Sequence, residues 1–355
     1  MKLQIQPFTV NKQFPLTISR GTTAQSTNLW VRLEQEGVEG WGEASPFSIG
    51  AQPQTSAALI SALELLIPLL GSLHPLERQR IEQVLDHHAI PSAARAAIDL
   101  ALWDWMGKRV GLPLWQLWGL NHDPMVPFSV TIGINTPEQA ARRTQAWLEL
   151  IDPQMLKIKL GSPAGLAADQ AMFTAVQAVA PPQTGFCVDA NGGWPLAAAL
   201  TMAEWLAAAN VKYIEQPLAP TVPLDQWAEL SARSPLPIFA DESCLTSPDI
   251  PRLAAVVQGV NIKLMKSGGL GEARRMIHTA KAHGLQVMLG CYSDSALANT
   301  AAAHLSSLAD YLDLDSHLNL VDDPFQGANI QNGRLLPPAL PGLGVGLRVE
   351  SEKAL

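Results

Sequence analysis

GFCVDANGGWPLAAALTMAEWLAAANVKYIEQPLAPTVPLDQWAELSARSPLPIFADE, residues 185–242, holds three short apolar runs that each end in an acid: GFCVD, VKYIE and PIFAD. The acids are Asp189, Glu215 and Asp241, each 26 residues after the one before. That interval fits one strand, one helix and two loops, the repeat of a parallel β/α barrel. At the C-terminal ends of three successive barrel strands, the three carboxylates point into one mouth. Alone they repel one another, and a divalent cation resolves the repulsion.

Working outward, the same alternation continues on both sides. Strand candidates are FSVTIGI (128–134), MLKIKL (155–160), GFCVDA (185–190), VKYIEQ (211–216), PIFADE (237–242), VNIKLMK (260–266), LQVMLGC (285–291) and YLDLD (311–315). Seven amphipathic or Ala-rich segments separate them. One opens on Thr136-Pro137 with Glu138 behind, a good helix start. Two others stop at Asn210 and Gly284. Eight strands with intervening helices predict an α/β fold, a (β/α) barrel, with an open doubly wound sheet as the alternative. The first 125 residues differ. Strand-like KLQIQPFTV, STNLWVRLE and VEGWGEA precede helical stretches near 54–70, 76–88 and 92–108, an α+β pattern. The expected division is therefore an α+β unit over 1–125 and the barrel over 126–323, with GLNHDPMVP (119–127) as linker. The Gly/Pro-rich tail, 324–355, is expected to pack back on the first unit.

Bulk properties narrow the partners. A net charge of −8, with no basic cluster, argues against nucleic acid and anionic membrane surfaces. No apolar run is long enough for a membrane span, and the N-terminus lacks the apolar core of a signal peptide. Cys187, Cys244 and Cys291 are an odd number without a CxxC, which predicts free thiols in a reducing compartment, the cytoplasm. A small-molecule substrate is the expected partner, and the composition leaves room for a homo-oligomer.

The barrel fixes angles as well as intervals. Lys159 ends strand two and Lys266 ends strand six, diametrically opposite. Asp313 and Asp315 on strand eight face strand four. The predicted mouth thus has a metal on one wall, an amine on each flank and a second acidic pair across from the metal. A metal can bind a substrate carboxylate and stabilise the enediolate formed when the neighbouring carbon loses its proton. Two opposed amines suit removal from one face and return from the other, which is epimerisation. Lys157, two residues before Lys159, shares its strand face; a second ammonium nearby lowers the pKa of a lysine base, although Lys157 also suits a structural ion pair. Asn191 and Glu242 adjoin the ligands and are read as orienting them. Lys263 has the opposite strand parity to Lys266 and is left structural. Ser267-Gly268-Gly269 reads as a tight turn. The eight histidines form no ligand-spaced pair, so zinc is disfavoured. All-oxygen ligation favours Mg²⁺, with Mn²⁺ second. Trp103, Trp105, Trp115 and Trp118 read as packing.

The motifs KIKLG, VDANGGW, IEQPL, ADES and NIKLMKSGG, with AAIDLALWDWMGKRVGLPLWQLWG (96–119), resemble the muconate-lactonizing branch of the enolase superfamily, over about residues 5–347. The resemblance implies an α+β capping domain over a modified (β/α)7β barrel and a Mg²⁺ site at Asp189, Glu215 and Asp241. It implies Lys159 and Lys266 as the acid/base pair. Within the branch the chain looks most like dipeptide epimerases of the L-Ala-D/L-Glu type, which are isomerases. Asp313-Leu314-Asp315 resembles the D-x-D that holds a dipeptide's ammonium, and MLGC (288–291) and ISRGTTAQS (18–26) match as well. Arg20 stands where such enzymes keep an arginine for an acidic side chain. Ser316-His317 and Tyr292-Ser293-Asp294 depart from the usual pattern and bear on which dipeptide is preferred. The loops at 18–26 and 45–52 are expected to close over substrate. Muconate cycloisomerisation and o-succinylbenzoate synthesis are the alternatives on this scaffold. Their substrates lack the ammonium that Asp313 and Asp315 would hold.

Overall fold

The structure is a computed structural model that describes residues 1–49, 52–122, 126, 128–151 and 153–348. Residues 50–51 of the second capping loop, 123–125 and 127 of the linker, and 349–355 of the tail lie outside the described residues.

The chain opens with β1 (Lys2–Ile18), β2 (Gly21–Gln35) and β3 (Val38–Ala44), an antiparallel sheet in that order. A small hairpin follows, β4 (Phe47–Ile49) with β5 (Gln52–Gln54). The helices are α1 (Ser56–Leu70), α2 (Arg78–His87), α3 (Ser92–Val110) and α4 (Leu114–Leu117). Thr55 caps α1 by accepting from Ala58 N at 3.3 Å. The Ala-rich α3 lies against β3 because that strand carries Gly40 and Gly42. A Cβ there would stand 2.0 Å from Ala101 O and 1.9 Å from Ala97 O, so only glycine lets helix and strand touch.

Eight parallel strands come next: β6 (Ser129–Ile132), β7 (Met155–Lys159), β8 (Gly185–Asp189), β9 (Val211–Glu215), β10 (Ile238–Ala240), β11 (Gly259–Lys263), β12 (Gln286–Gly290) and β13 (Tyr311–Asp313). They pair in sequence order, and a parallel bridge from Phe128 to Leu312 closes the ring. The connections carry α5 (Pro137–Ile151), α6 (Leu166–Val179), α7 (Leu196–Ala208), α8 (Leu224–Arg233), α9 (Ile250–Leu253), α10 (Leu264–Ser267), α11 (Leu270–Ala282) and α12 (Ala296–Ala303). No helix follows β13 before the tail among the described residues; a 3₁₀ turn, Ser316–Asn319, stands there instead. The architecture is a (β/α)7β barrel with an N-terminal α+β cap.

Strand alternation builds the barrel interior. Cys187, Tyr213 and Phe239 lie two residues before Asp189, Glu215 and Asp241, and with Met288 they form a buried apolar cluster. That plug forms an apolar floor under the acids. The tail folds back: β14 (Phe325–Gln326) pairs with β17 (Gly346–Leu347), and β15 (Asn329–Gln331) with β16 (Arg334–Leu336). The Phe325 ring packs on Phe8 and Trp41 at centroid distances of 5.6 and 6.0 Å.

Two expectations are corrected. The stretch 18–26 is not a loop: β1 and β2 run through it as a hairpin whose turn is Ser19-Arg20. Strand six does not reach Lys266. It ends at Lys263, and the next four residues wind into α10, closed by Gly268 at φ +88°. A strand-parity argument fails once the chain has left the strand.

Candidate active site

Asp189, Glu215 and Asp241 end or directly follow β8, β9 and β10, and all three are fully buried. One carboxylate oxygen from each lies within 4.8 Å of the others. Glu215 shows the strain of this proximity: burial, with Asp189 next, pushes its pKa up to about 8. Three clustered carboxylate oxygens over an apolar floor, with no nitrogen or sulfur donor among them, fit a hard cation such as Mg²⁺. Buried Glu242 Oε2 and Asn191 Oδ1 also lack hydrogen-bond partners beside the trio.

Each acid is held from the side. Lys159 Nζ donates to Asp189 Oδ2 at 2.6 Å. Asn261 Nδ2 donates to Glu215 Oε1 at 2.7 Å. Lys263 Nζ donates to Asp241 Oδ2 at 2.8 Å. Gln216, at φ +37°, accepts from Asp241 N at 2.8 Å and fixes that backbone. Asn191, at φ +45°, donates from its backbone to Asp189 Oδ1 at 2.8 Å, and its amide reaches Asp189 Oδ2 and Glu242 Oε1, both at 3.2 Å. Non-glycine residues at positive φ collect at such sites.

Lys157 sits beneath Lys159, fully buried, 2.5 Å from Glu215 Oε2, 2.6 Å from Asp313 Oδ2 and 3.5 Å from Asp189 Oδ2. Burial alone would lower its pKa, but Asp313, Glu215 and Asp189 outweigh burial and hold it well above the ordinary value. It is a fixed positive charge inside the barrel and the centre of a buried ion-pair cluster.

The two candidate bases part company here. Lys159 and Lys263, at the ends of opposite strands, line one cavity of about 670 Å³ together with Arg20, Phe47, Asn191, Glu242 and Tyr292. Lys263 Nζ lies 4.6 Å from the centre of the Tyr292 ring. Lys266 does not line it. Its buried ammonium binds the Asp241 carboxylate and the carbonyls of Asp241 and Asn261, the carbonyls at 2.6 and 2.9 Å. Sequence reasoning passed over Lys263. The signal was present: Lys263 is two residues after inward-facing Asn261, as Lys159 is two after Lys157.

A second cavity, about 340 Å³, adjoins the first at Leu16, Lys159, Cys291 and Tyr292. Its wall includes Asp313 and Asp315. Asp313 is engaged by Lys157, whereas Asp315 accepts from Thr131 N at 2.6 Å. Burial and then Asp313 push the Asp315 pKa up to about 6. Arg20, expected to wait for an acidic substrate group, is instead occupied. It reaches Glu242 Oε1 and Asn191 O, both at 2.7 Å, and Ser19 Oγ joins at the same carbonyl at 3.1 Å. The hairpin tip is thereby tied to the acid trio.

Comparison with known proteins gives a consistent picture. Residues 2–119 match the family model "Mandelate racemase / muconate lactonizing enzyme, N-terminal domain", and residues 138–351 match "Enolase C-terminal domain-like". The chain is 46% identical to a hydrophobic dipeptide epimerase of a Flavobacteria bacterium, over 99% of each chain. It is 44% identical to a hydrophobic dipeptide epimerase of Roseobacter litoralis, over 97% of this chain and 98% of the other. The crystal structure of the Enterococcus faecalis dipeptide epimerase with Mg and L-Leu-L-Tyr superposes with a TM-score of 0.90 at 30% identity, over 97% of this chain and 99% of that one. Among the described residues no helix is long and apolar enough to cross a membrane.

Proposed function

Because the chain belongs to the enolase superfamily, in its mandelate racemase/muconate lactonizing branch, we propose that it is a Mg²⁺-dependent dipeptide epimerase. It inverts the α-carbon of the C-terminal residue through an enediolate. The observation that carries the two-base reading is the pair Lys159 and Lys263, which line one cavity from opposite strands and pair with Asp189 and Asp241 of the acid trio. We assign the acid/base roles to these two and withdraw Lys266, whose three partners make it a brace for Asp241.

Asp189, Glu215 and Asp241 hold the metal. Bound there, Mg²⁺ supplies a Lewis acid beside the substrate carboxylate. The dipeptide's ammonium goes to Asp313 and Asp315. One lysine takes the α-proton on one face, and the other, as ammonium, returns a proton on the opposite face. Lys157 adds fixed positive charge below the developing enediolate. Asn191 and Glu242 orient Asp189 and receive the hairpin tip through Arg20. Residues 1–125 and the returning tail act as the cap, 126–323 as the barrel, and the chain works in the cytoplasm on a small-molecule substrate.

The test is α-hydrogen exchange in D₂O with Mg²⁺ over a dipeptide set, read by mass and by chirality. Lys159→Ala and Lys263→Ala should each stop inversion, yet each should still exchange the α-hydrogen of one epimer, and the two variants should favour opposite epimers. Lys266→Met, which loses only a brace of Asp241, should lower exchange and inversion together and for both epimers alike. Should Lys266→Met behave as a one-base enzyme while Lys263→Ala inverts normally, the assignment is wrong.

A further inference from the structure

The second cavity carries a feature that the epimerase chemistry does not use. Arg143, on α5, has its guanidinium carbon 3.7 Å from the Phe14 ring centre and 3.9 Å from the Trp147 ring centre. Nη2 donates to Asn319 Oδ1 at 3.2 Å. Asn319 also clamps the Phe14 backbone, accepting from its N at 3.0 Å and donating to its O at 2.8 Å. Trp147 is pinned by Nε1 to Thr131 O at 3.1 Å, and Thr131 N is the donor to Asp315. The guanidinium is therefore locked between two rings, in the wall that begins at the expected ammonium site.

The rest of that wall decides its character. Phe14, Pro15, Leu16, Ala140 and Trp147 are apolar. Lys12 and Arg142 add two more cations, and among the described residues the only acids lining the cavity, Asp313 and Asp315, are those assigned to the substrate ammonium. Burial lowers the Arg143 pKa to about 10, partly offset by Asp315, so the group stays charged at neutral pH. A side chain entering beside Asp315 meets apolar surface and fixed positive charge.

Resting on the dipeptide-epimerase reading above, we propose that Arg143 is a charge filter for the first side chain of the dipeptide: this subsite takes apolar or acidic side chains and rejects lysine and arginine. A cation placed there has no free acid to pair with and faces an ammonium or guanidinium in a partly desolvated cavity, where like charges repel far more strongly than in water. Phe14 and Trp147 position the filter, since stacking on both faces leaves only the guanidinium edge to meet the substrate.

The experiment compares L-norleucyl and L-lysyl dipeptides with the same C-terminal residue. They have similar side-chain length and differ in charge. With the full protein and Mg²⁺, kcat/KM by α-hydrogen exchange should favour norleucyl by about a hundredfold. Arg143→Met should cut that ratio to under about tenfold, chiefly through a lower KM for the lysyl substrate, while Arg143→Lys should keep most of it. Similar wild-type values for the two substrates, or a ratio unmoved in folded Arg143→Met, would overturn the proposal. The wild-type ratio decides even if the methionine variant does not fold. Failure of the underlying reading looks different: neither dipeptide would exchange at all, and the filter would fall with it.

Discussion

Two walls face each other across the barrel mouth, and they are built in different ways. The acid wall takes one residue from each of three adjacent strands, at equivalent positions, on a floor of Cys187, Tyr213 and Phe239. The opposite wall takes Phe14 and Leu16 from β1, Arg143 and Trp147 from α5, Cys291 and Tyr292 after β12, Asp313 from the end of β13 and Asp315 just after it. Backbone register fixes the first; tertiary packing assembles the second. A register-fixed wall suits chemistry that tolerates little displacement. A packed wall can change residue by residue without moving the reacting atoms, which suits selection among substrates.

The strongest way to break this contrast is Glu215→Gln. Turnover should fall at least about a thousandfold, the scale expected when a charge-stabilising group is lost, and Mg²⁺ binding by calorimetry should weaken with it. Stability should move the other way or hardly at all. The Glu215 carboxyl is pushed to about 8 by burial and by Asp189, so a neutral isostere relieves repulsion that the fold otherwise carries. A large drop in melting temperature without metal would mean that Glu215 is structural first.

The opposite wall should respond through binding instead. Asp315→Asn should raise KM for dipeptides by about a hundredfold, with kcat nearly kept, because one charge-assisted contact to the ammonium is lost. An α-N-acylated substrate, which has no ammonium, should be indifferent. In the wild type, KM should climb as pH falls through about 6, since protonation removes the Asp315 charge. A flat KM between pH 7 and 5 would place the ammonium elsewhere.

The sequence was readable in proportion to the same contrast. All eight barrel strands, the acid trio, Lys159 and the Asp313/Asp315 pair followed from interval and alternation, because strand geometry is periodic. The different settings of Lys263 and Lys266 are not legible from strand parity, which ceases to apply where the strand turns into α10; the glycines at 268 and 269 mark that turn. The partners of Arg20, Asn191 and Glu242, lie far along the chain, and no period relates them to it. The stack of Phe14, Arg143 and Trp147 left no sequence trace: Phe14 and Arg143 are over a hundred residues apart, and no period relates them.

Arg20→Ala sharpens the boundary between the walls, since Arg20 belongs to the hairpin but grips the acid side. As a latch it should matter equally for every dipeptide, lowering kcat/KM by about tenfold through kcat and KM together. As a receptor for an acidic C-terminal residue it should matter for those substrates alone. Measuring Ala-Glu and Ala-Leu dipeptides side by side separates the two, and its pairing with Glu242 and Asn191 favours the uniform loss.

The smallest effect on activity should come from behind the second wall, where His304 follows α12. Its Nδ1 accepts from Trp115 N at 3.3 Å, so its one proton sits on Nε2, which donates to Leu343 O at 3.0 Å. The neutral ring joins α4, α12 and the returning tail. A second proton would turn the acceptor into a donor facing a donor, and burial reinforces this, lowering the pKa to about 4. The folded value lies below the unfolded one of 6.5, so the contribution is complete above pH 6.5 and is lost as pH falls through 4. The whole effect is worth roughly 3 kcal/mol at most. His304→Gln should leave turnover at pH 7.5 within about twofold, lower stability there by roughly 1–2 kcal/mol, and flatten the fall in melting temperature between pH 6.5 and 4. If the acid sensitivity of the variant matches the wild type, this tether is not what acid breaks, and the tail is held mainly by the apolar contacts of Phe325.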